Sequence, residues 1–266
     1  MLTLIATPIG NLADLSYRAV TALQAADGIL CEDTRHSSIL LKAYNIQKPL
    51  LAHHKFNERK ELEFILQKLR RGESWALISD AGTPCINDPG ALLVQACIAE
   101  GLPFTAVPGP CSPILALILS GFETTRFQCL GFLPKSGSDA LLRSAMNYPG
   151  TTVLLESPHR LVETLEMLAE LDEGRLVAVA REMTKTFEEC KRGSVTEVLQ
   201  HYRTAGVRGE VCLVIAGGKL PEEKMPVEEL VELLVELHGA SMKEAVKLAA
   251  KLLGRKKSDV YRDVHT

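Results

Sequence analysis

Leu2-Thr3-Leu4-Ile5-Ala6-Thr7-Pro8-Ile9-Gly10-Asn11 opens the chain, and its reading decides the fold. An apolar strand, Leu2 to Ala6, breaks at once into a turn rich in proline and glycine. The same arrangement recurs downstream. Trp75 to Ser79 runs into Asp80-Ala81-Gly82-Thr83-Pro84, and Pro103 to Val107 runs into Pro108-Gly109-Pro110. Gly28 to Cys31 supplies a further strand. Between it and Trp75, Leu62, Ile65, Leu66 and Leu69 fall at helical spacing, with Glu61, Glu63, Gln67 and Lys68 on the opposite face. Strands alternating with amphipathic helices predict an α/β fold whose first sheet is parallel and covered by helices.

Working outward, the 266 residues exceed one typical domain and predict two lobes with an appendage. After Pro110 the sequence turns small and apolar through Leu119, and a turn at Gly121 leads to a fresh strand at Arg126 to Phe132. The expected division is therefore 1–117, an α/β domain with a parallel sheet; 118–220, a second α/β domain; and 221–266, a basic helical tail. The second domain carries further strands at Thr151 to Glu156, Arg175 to Ala180 and Glu210 to Ala216, separated by helices at Arg160 to Glu170 and Val195 to Tyr202. The tail follows Gly217, Gly218 and Pro221. Val227, Leu230, Val231, Leu234 and Leu237 mark its first helix. Ser241-Met242-Lys243-Glu244 reads as a capping box opening a second, with Ala245, Val246, Ala249 and Leu252 on one face and Gly254 at its end. A last helix is expected from Ser258.

Composition narrows the function classes. Hydrophobic residues at 46% and charged residues at 24% describe an ordinary globular chain, so every segment is read as folded. A net charge of −3 gives no global attraction to nucleic acid, so any such binding needs a local patch. Seven scattered cysteines, odd in number and without a Cys-x-x-Cys pair, predict reduced thiols and a cytoplasmic protein. The opening run lacks the basic start and length of a signal peptide, and no apolar run is long enough to cross a membrane. No His, Cys and Asp cluster has metal spacing, His53-His54 being a lone pair, and no catalytic metal is expected.

In an open α/β sheet, ligands bind beyond the carboxyl ends of the strands. Three loops rich in glycine and proline at one such edge predict a cleft. The stretch Ser79 to Gly90, with Asp80, Asn87 and Asp88 among its glycines and prolines, is longer than a turn requires and reads as a shaped binding loop. Gly10 lacks a partner glycine two residues on, and no phosphate-loop motif occurs, which disfavours dinucleotides and nucleoside triphosphates.

These loops, with Cys31-Glu32-Asp33-Thr34-Arg35, Glu156-Ser157-Pro158-His159-Arg160 and Arg181-Glu182-Met183-Thr184-Lys185-Thr186, resemble the tetrapyrrole-methylase-fold superfamily. The likeness is closest to its ribosomal branch, the 16S rRNA (cytidine-2′-O)-methyltransferases, and runs from the first strand to the last helix. The resemblance implies two α/β domains, S-adenosylmethionine in the cleft between them, and a homodimer acting on 16S rRNA in the 30S subunit. By position it implies cofactor contacts from Pro8, from Ser79, Asp80, Ala81, Gly82, Thr83, Pro84 and Ile86, from Gly109 and Ser112, and from Leu154, Glu156, Ser157 and Ala216. The wider superfamily often has Gly-Asp-Pro where this chain has Gly82-Thr83-Pro84.

Methyl transfer to a hydroxyl needs alignment and gains from a general base. Asp80, Glu182 and Lys185 are the candidates, with Glu32, Asp33, Arg35 and His36 near the same edge, and the sequence does not choose among them. Arg35, His36 and Arg160 are expected to meet RNA. So are Lys251, Arg255, Lys256, Lys257 and Arg262 of the tail, where Lys243 and Lys247 add charge and Tyr261 could stack on a base. Two other readings share these features. One is a methyltransferase for a small tetrapyrrole-like substrate, against which the basic tail and the Cys31 to Arg35 motif argue. The other is a non-catalytic RNA-binding or assembly factor, against which the intact loops argue.

Overall fold

Ten short strands among the described residues fall into two five-stranded sheets. The computed structural model describes residues 1–218, 227–238 and 241–264, the side chains of 237 and 238 excepted. Pro221, the expected 220/221 boundary and the Leu237 side chain lie outside the described residues. The chain forms two units, Met1–Gly218 and Lys219–Thr266.

In the first unit, β1 (Leu2–Ile5), β2 (Gly28–Cys31), β3 (Leu50–Ala52), β4 (Trp75–Leu77) and β5 (Phe104–Val107) pair in the order β3-β2-β4-β1-β5, all parallel. Helices α1 (Tyr17–Ala25), α2 (Thr34–Ala43), α3 (Glu58–Arg70) and α4 (Ala91–Ala99) connect them. Alternate residues of each strand feed opposite cores. Ile29, Cys31, Ala76 and Ile78 meet α1 and α2 on one face, and Leu30, Trp75 and Leu77 meet α3 and α4 on the other. Burial on both faces is why these strands read as continuous apolar runs. On α3, Ile65, Leu66 and Leu69 are buried, as their spacing predicts.

The chain leaves the first sheet at Val107 and enters α5 (Ser112–Ser120), which packs on the second sheet, so residue 118 lies inside a helix. That sheet is β6 (Phe127–Phe132), β7 (Thr151–Glu156), β8 (Leu176–Arg181), β9 (Glu189–Ser194) and β10 (Val211–Ile215), ordered β6-β7-β10-β8-β9. Only β6 and β7 are parallel; the remaining pairs are antiparallel. Helices α6 (Ser138–Asn147), α7 (Leu161–Asp172) and α8 (Val195–Ala205) cover one face with Val177, Val179, Leu213 and Ile215 beneath them. The other face presents Ala178, Ala180 and Val214 to α5, and its small side chains admit that helix closely. The last carbonyls of α5, unpaired within the helix, accept hydrogen bonds from the Arg192 guanidinium of β9 at 3.0 Å (Leu119 O) and 3.1 Å (Ser120 O).

The second unit contains α9 (Val227–His238), α10 (Met242–Leu252) and α11 (Lys257–Val264) around a small core of Val231, Ala245, Val246, Ala249 and Val260. The Glu244 carboxylate accepts from the Ser241 N–H at 3.0 Å and from its hydroxyl at 2.7 Å, the expected capping contact. Gly254 is left-handed (φ +63°) beyond the helix end. Leu252, expected on the buried face, is 69% exposed.

Candidate active site

The loops after β1, β4 and β5 meet at one edge of the first sheet and are tied to each other by backbone. Thr7 and Gly82 exchange N–H···O bonds of 2.8 and 3.1 Å, and the Thr7 hydroxyl donates to Ser79 O at 3.2 Å. The Thr83 hydroxyl donates to Pro110 O at 2.9 Å. Thr7, Ser79, Gly82 and Pro84 are thus buried scaffold behind the cleft, and the loop they clamp presents Asp80, Ala81, Ile86, Asn87 and Asp88 to it.

Facing these loops across a cavity of about 420 Å³ are residues of the second sheet: Leu155, Glu156 and Ser157 at the end of β7, Met183 after β8, and Gly209 to Cys212 at the start of β10. A second cavity of about 280 Å³ lies alongside and shares Ile9, Asp80, Ala81 and Glu210 with the first. Among the expected cofactor residues, Asp80, Ala81, Ile86, Ser112, Glu156 and Ser157 line the larger cavity and Pro8 lines the smaller. Gly109 sits against Ala6, where a Cβ would stand 3.0 Å from the Ala6 Cβ.

Seven expected contacts are not on the lining of either cavity: Ser79, Gly82, Thr83 and Pro84 of the clamped loop, Gly109, Leu154 and Ala216. Leu154 is fully buried in the core beneath α7 and its neighbour Leu155 lines the cavity, because adjacent strand residues face opposite ways. Ala216 follows the last residue of β10, whereas the cavity meets the first. β10 runs antiparallel to β7, so its first residue, Val211, and not its last, lies beside Glu156 at the end of β7. Arg160 is also committed elsewhere. Its guanidinium donates to Leu133 O at 2.7 Å and Pro134 O at 3.2 Å, holding the segment after β6.

The candidate bases differ in state. Asp80 accepts the Asp33 N–H at 3.1 Å and borders both cavities. Glu182 and Lys185 form a set with Glu210: Lys185 Nζ lies 3.0 Å from Glu182 Oε1 and 3.0 Å from Glu210 Oε2. The Lys185 hydrogen bond, then the Glu210 N–H, hold the Glu182 carboxyl below its ordinary range. Burial opposes charge on Lys185, but hydrogen bonds to both carboxylates outweigh it and keep the amine above the ordinary lysine value. Lys185 is therefore an ammonium and has no lone pair with which to take a proton.

Asp88 stands out among residues that pattern reading left unassigned. Burial pushes its carboxyl up to about 6, against a Ser79 hydrogen bond that lowers it, with the charges of Glu32 and Asp80 adding to the rise. Its place in the long Ser79 to Gly90 loop was the available signal. Backbone strain concentrates at the same place. Cys85 (φ 69°), Asn87 (φ 65°), Glu182 (φ 49°) and Thr184 (φ 68°) are left-handed without being glycine. Such residues persist where surrounding structure holds them for a purpose.

Arg35 is exposed at the start of α2 and paired with Asp33 at 2.8 Å, and His36 lines the smaller cavity. In the helical unit, Lys243, Lys247, Lys251, Arg255, Lys256, Lys257, Tyr261 and Arg262 are all exposed. Arg255 pairs with Asp263 at 2.6 Å and Arg262 lies 3.9 Å from Asp259, so part of this charge is balanced locally. No group of three or more His, Cys, Asp or Glu side chains among the described residues is placed to hold a metal. None of the described helices is long and apolar enough to cross a membrane.

A family model described as tetrapyrrole (corrin/porphyrin) methylases matches residues 1–199. A protein of Escherichia coli O157:H7 named ribosomal RNA small subunit methyltransferase I is 42% identical over 266 residues, spanning 98% of this chain and 93% of that protein. Its namesake in Thermotoga maritima is 42% identical over 217 residues, 81% of this chain and 98% of its own length. Among solved structures, uroporphyrin-III-C-methyltransferase from Thermus thermophilus is 22% identical with a TM-score of 0.58, covering 82% of this chain and 94% of its own. Diphthine synthase is 14% identical with a TM-score of 0.62, covering 81% of this chain and 89% of its own. At these identities the two structures share the fold.

Proposed function

The chain belongs to the tetrapyrrole (corrin/porphyrin) methylase family, and from that premise we propose that it transfers a methyl group from S-adenosylmethionine to the 2′-hydroxyl of a cytidine in 16S ribosomal RNA. The observation that carries this reading is the match over 98% of the chain to a protein named for methylating small-subunit ribosomal RNA.

The larger cavity fits the cofactor. Its volume lies within the usual range for ligand pockets, about 300 to 1,000 Å³, and Ile9, Met183 and Val211 give it apolar walls for a flat base. Asp80 and Asp88 place carboxyls where a cation would relieve the burial that raises Asp88. When bound, S-adenosylmethionine supplies a methyl group on a sulfonium. The chain's own part is to align the acceptor hydroxyl and to receive its proton. Asp80 borders both cavities and takes that proton as the ribose oxygen gains the methyl. Lys185, already protonated, serves charge rather than proton removal.

The helical unit supplies cations for ribosomal RNA phosphates, and the 30S subunit is the partner this reading requires. A homodimer is the assembly that the resemblance to the ribosomal branch implies. The expected site of action is the cytoplasm, where ribosomal subunits are. The test is transfer of tritiated methyl to 30S subunits that lack 2′-O-methylation, with nuclease mapping of the product. Label confined to one ribose is expected; cofactor binding without label on RNA would overturn the reading.

A further inference from the structure

Two cavities meet at Asp80. The walls of the smaller are Gly10 and Leu12 of the first loop, His36 and Ile39 of α2, and Lys185. We propose that this smaller cavity receives the acceptor nucleoside, with the base along Leu12 and Ile39, the ribose at Asp80, and the adjoining backbone phosphate at Lys185. The proposal rests on the RNA-methylating reading above and gives its acceptor a place.

The shared wall is the first argument. Ile9, Asp80, Ala81 and Glu210 border both cavities, so a hydroxyl entering the smaller one at Asp80 faces the contents of the larger. The second is unspent apolar surface. α2 buries Leu41 in the core, yet Ile39 remains 65% exposed and Leu12 45% exposed, both at this cavity. Nucleic-acid bases bed on such surfaces, which every base can use through its flat face.

The third argument is the mounting of Lys185. Its stem lies across Gly10, where a Cβ would stand 2.5 Å from Lys185 Cγ and 2.9 Å from Cε. The turn that brings it there contains the left-handed Glu182 and Thr184 and is closed by a 3.0 Å bond from Lys185 N–H to Glu182 O. Strain of this kind for an ordinary surface lysine would be gratuitous. Of its two carboxylate partners, Glu182 is largely buried and Glu210 has a side chain 73% exposed. Glu210 is the partner that a phosphate displaces, while Glu182 keeps the ammonium aimed. Arg35, exposed at the start of the same α2, adds charge along the path of the strand.

The full chain is tested as wild type, Ile39→Glu and Lys185→Met by three measurements: equilibrium binding to unmethylated 30S subunits, calorimetric binding of S-adenosylhomocysteine, and thermal melting. Loss of one base contact is expected to weaken 30S binding about tenfold in Ile39→Glu. Lys185→Met is expected to weaken it and to flatten its salt dependence. S-adenosylhomocysteine affinity should stay within about twofold in both variants, since neither side chain borders the larger cavity. Because Ile39 is exposed, its melting temperature should not move. If the wild type methylates 30S subunits and both variants bind them unchanged, the nucleoside assignment is overturned while the RNA-methylating reading stands. Parallel loss of S-adenosylhomocysteine binding in Ile39→Glu would instead make the smaller cavity part of the cofactor site. A wild type that neither binds nor methylates 30S subunits overturns both.

Discussion

Asp88→Asn should make the protein more stable and a poorer binder of its cofactor. The wild-type carboxyl is pushed up to about 6 in the fold from an ordinary 3.8, first by burial and then, against a Ser79 hydrogen bond, by the charges of Glu32 and Asp80. Between those two values the folded protein keeps a proton that the unfolded chain releases. Stability therefore falls as pH rises from about 4 to about 6 and stays reduced above that. A gap of this size corresponds to about 3 kcal/mol for a fully buried group. Asp88 is half-buried, and screening by water lowers the figure to about 1 kcal/mol. Asparagine keeps the shape without the charge, so at pH 8 the variant should be about 1 kcal/mol more stable, which is about 2–4 °C in melting temperature for a chain of this size. At pH 4 the two should coincide. Urea unfolding of both proteins at pH 4, 6 and 8 measures the gap directly. A gap of the same size at every pH, or a variant less stable at pH 8, would refute the reasoning. In the same samples, wild-type affinity for S-adenosylmethionine should climb as pH passes about 6 and Asp88 ionises, while the variant's affinity should be lower and flat.

Asp80→Ala should lower turnover by about 10²- to 10⁴-fold, the contribution of a positioned base; single-turnover methyl transfer at saturating cofactor reads this, and unchanged turnover removes Asp80 from the reaction. Gly10→Ala places a methyl 2.5 Å from Lys185 Cγ and 2.9 Å from Thr184 Oγ1, so that the lysine stem must shift, and it should raise KM for 30S subunits while leaving S-adenosylhomocysteine binding intact. Deleting residues 225–266 should weaken binding to 30S subunits and reduce its salt dependence, with cofactor affinity preserved because those residues form a unit apart from the cleft-bearing one; equal loss of both would mean that the first unit needs the second to fold. Methylation is expected to survive the deletion at a reduced level.

Much of this molecule is legible in local sequence because its strands are short, buried and closed by proline and glycine. The three cleft loops announce themselves where apolar runs stop, and a parallel sheet has only one edge at which such loops gather. The second sheet reads less well. β9 is Glu189-Cys190-Lys191-Arg192-Gly193-Ser194, an edge strand with no apolar alternation to mark it. In the first sheet, β3 has only three residues. That Leu155 and Val211 line the cavity where Leu154 and Ala216 do not turns on strand periodicity and direction, which depend on pairings far apart in the chain. The state of Lys185 is likewise invisible locally, since Glu210, its second carboxylate partner, follows 25 residues later. Asp88 was visible as a loop acid, but its raised pKa needs the burial that only the assembled loop supplies.

The left-handed residues around the cavities carry a consequence for anyone improving this protein. A non-glycine side chain in that conformation costs about 1 to 2 kcal/mol, asparagine being better tolerated there, so Cys85, Glu182 and Thr184 are positions where glycine relaxes the native backbone. Glycine also loosens the unfolded chain, which takes back part of the gain. A laboratory selection for heat resistance alone would still be drawn to these three codons among the first. The survivors would hold their sheets at higher temperature, with the turn before Lys185 and the Asp88 loop less narrowly held beside the two cavities.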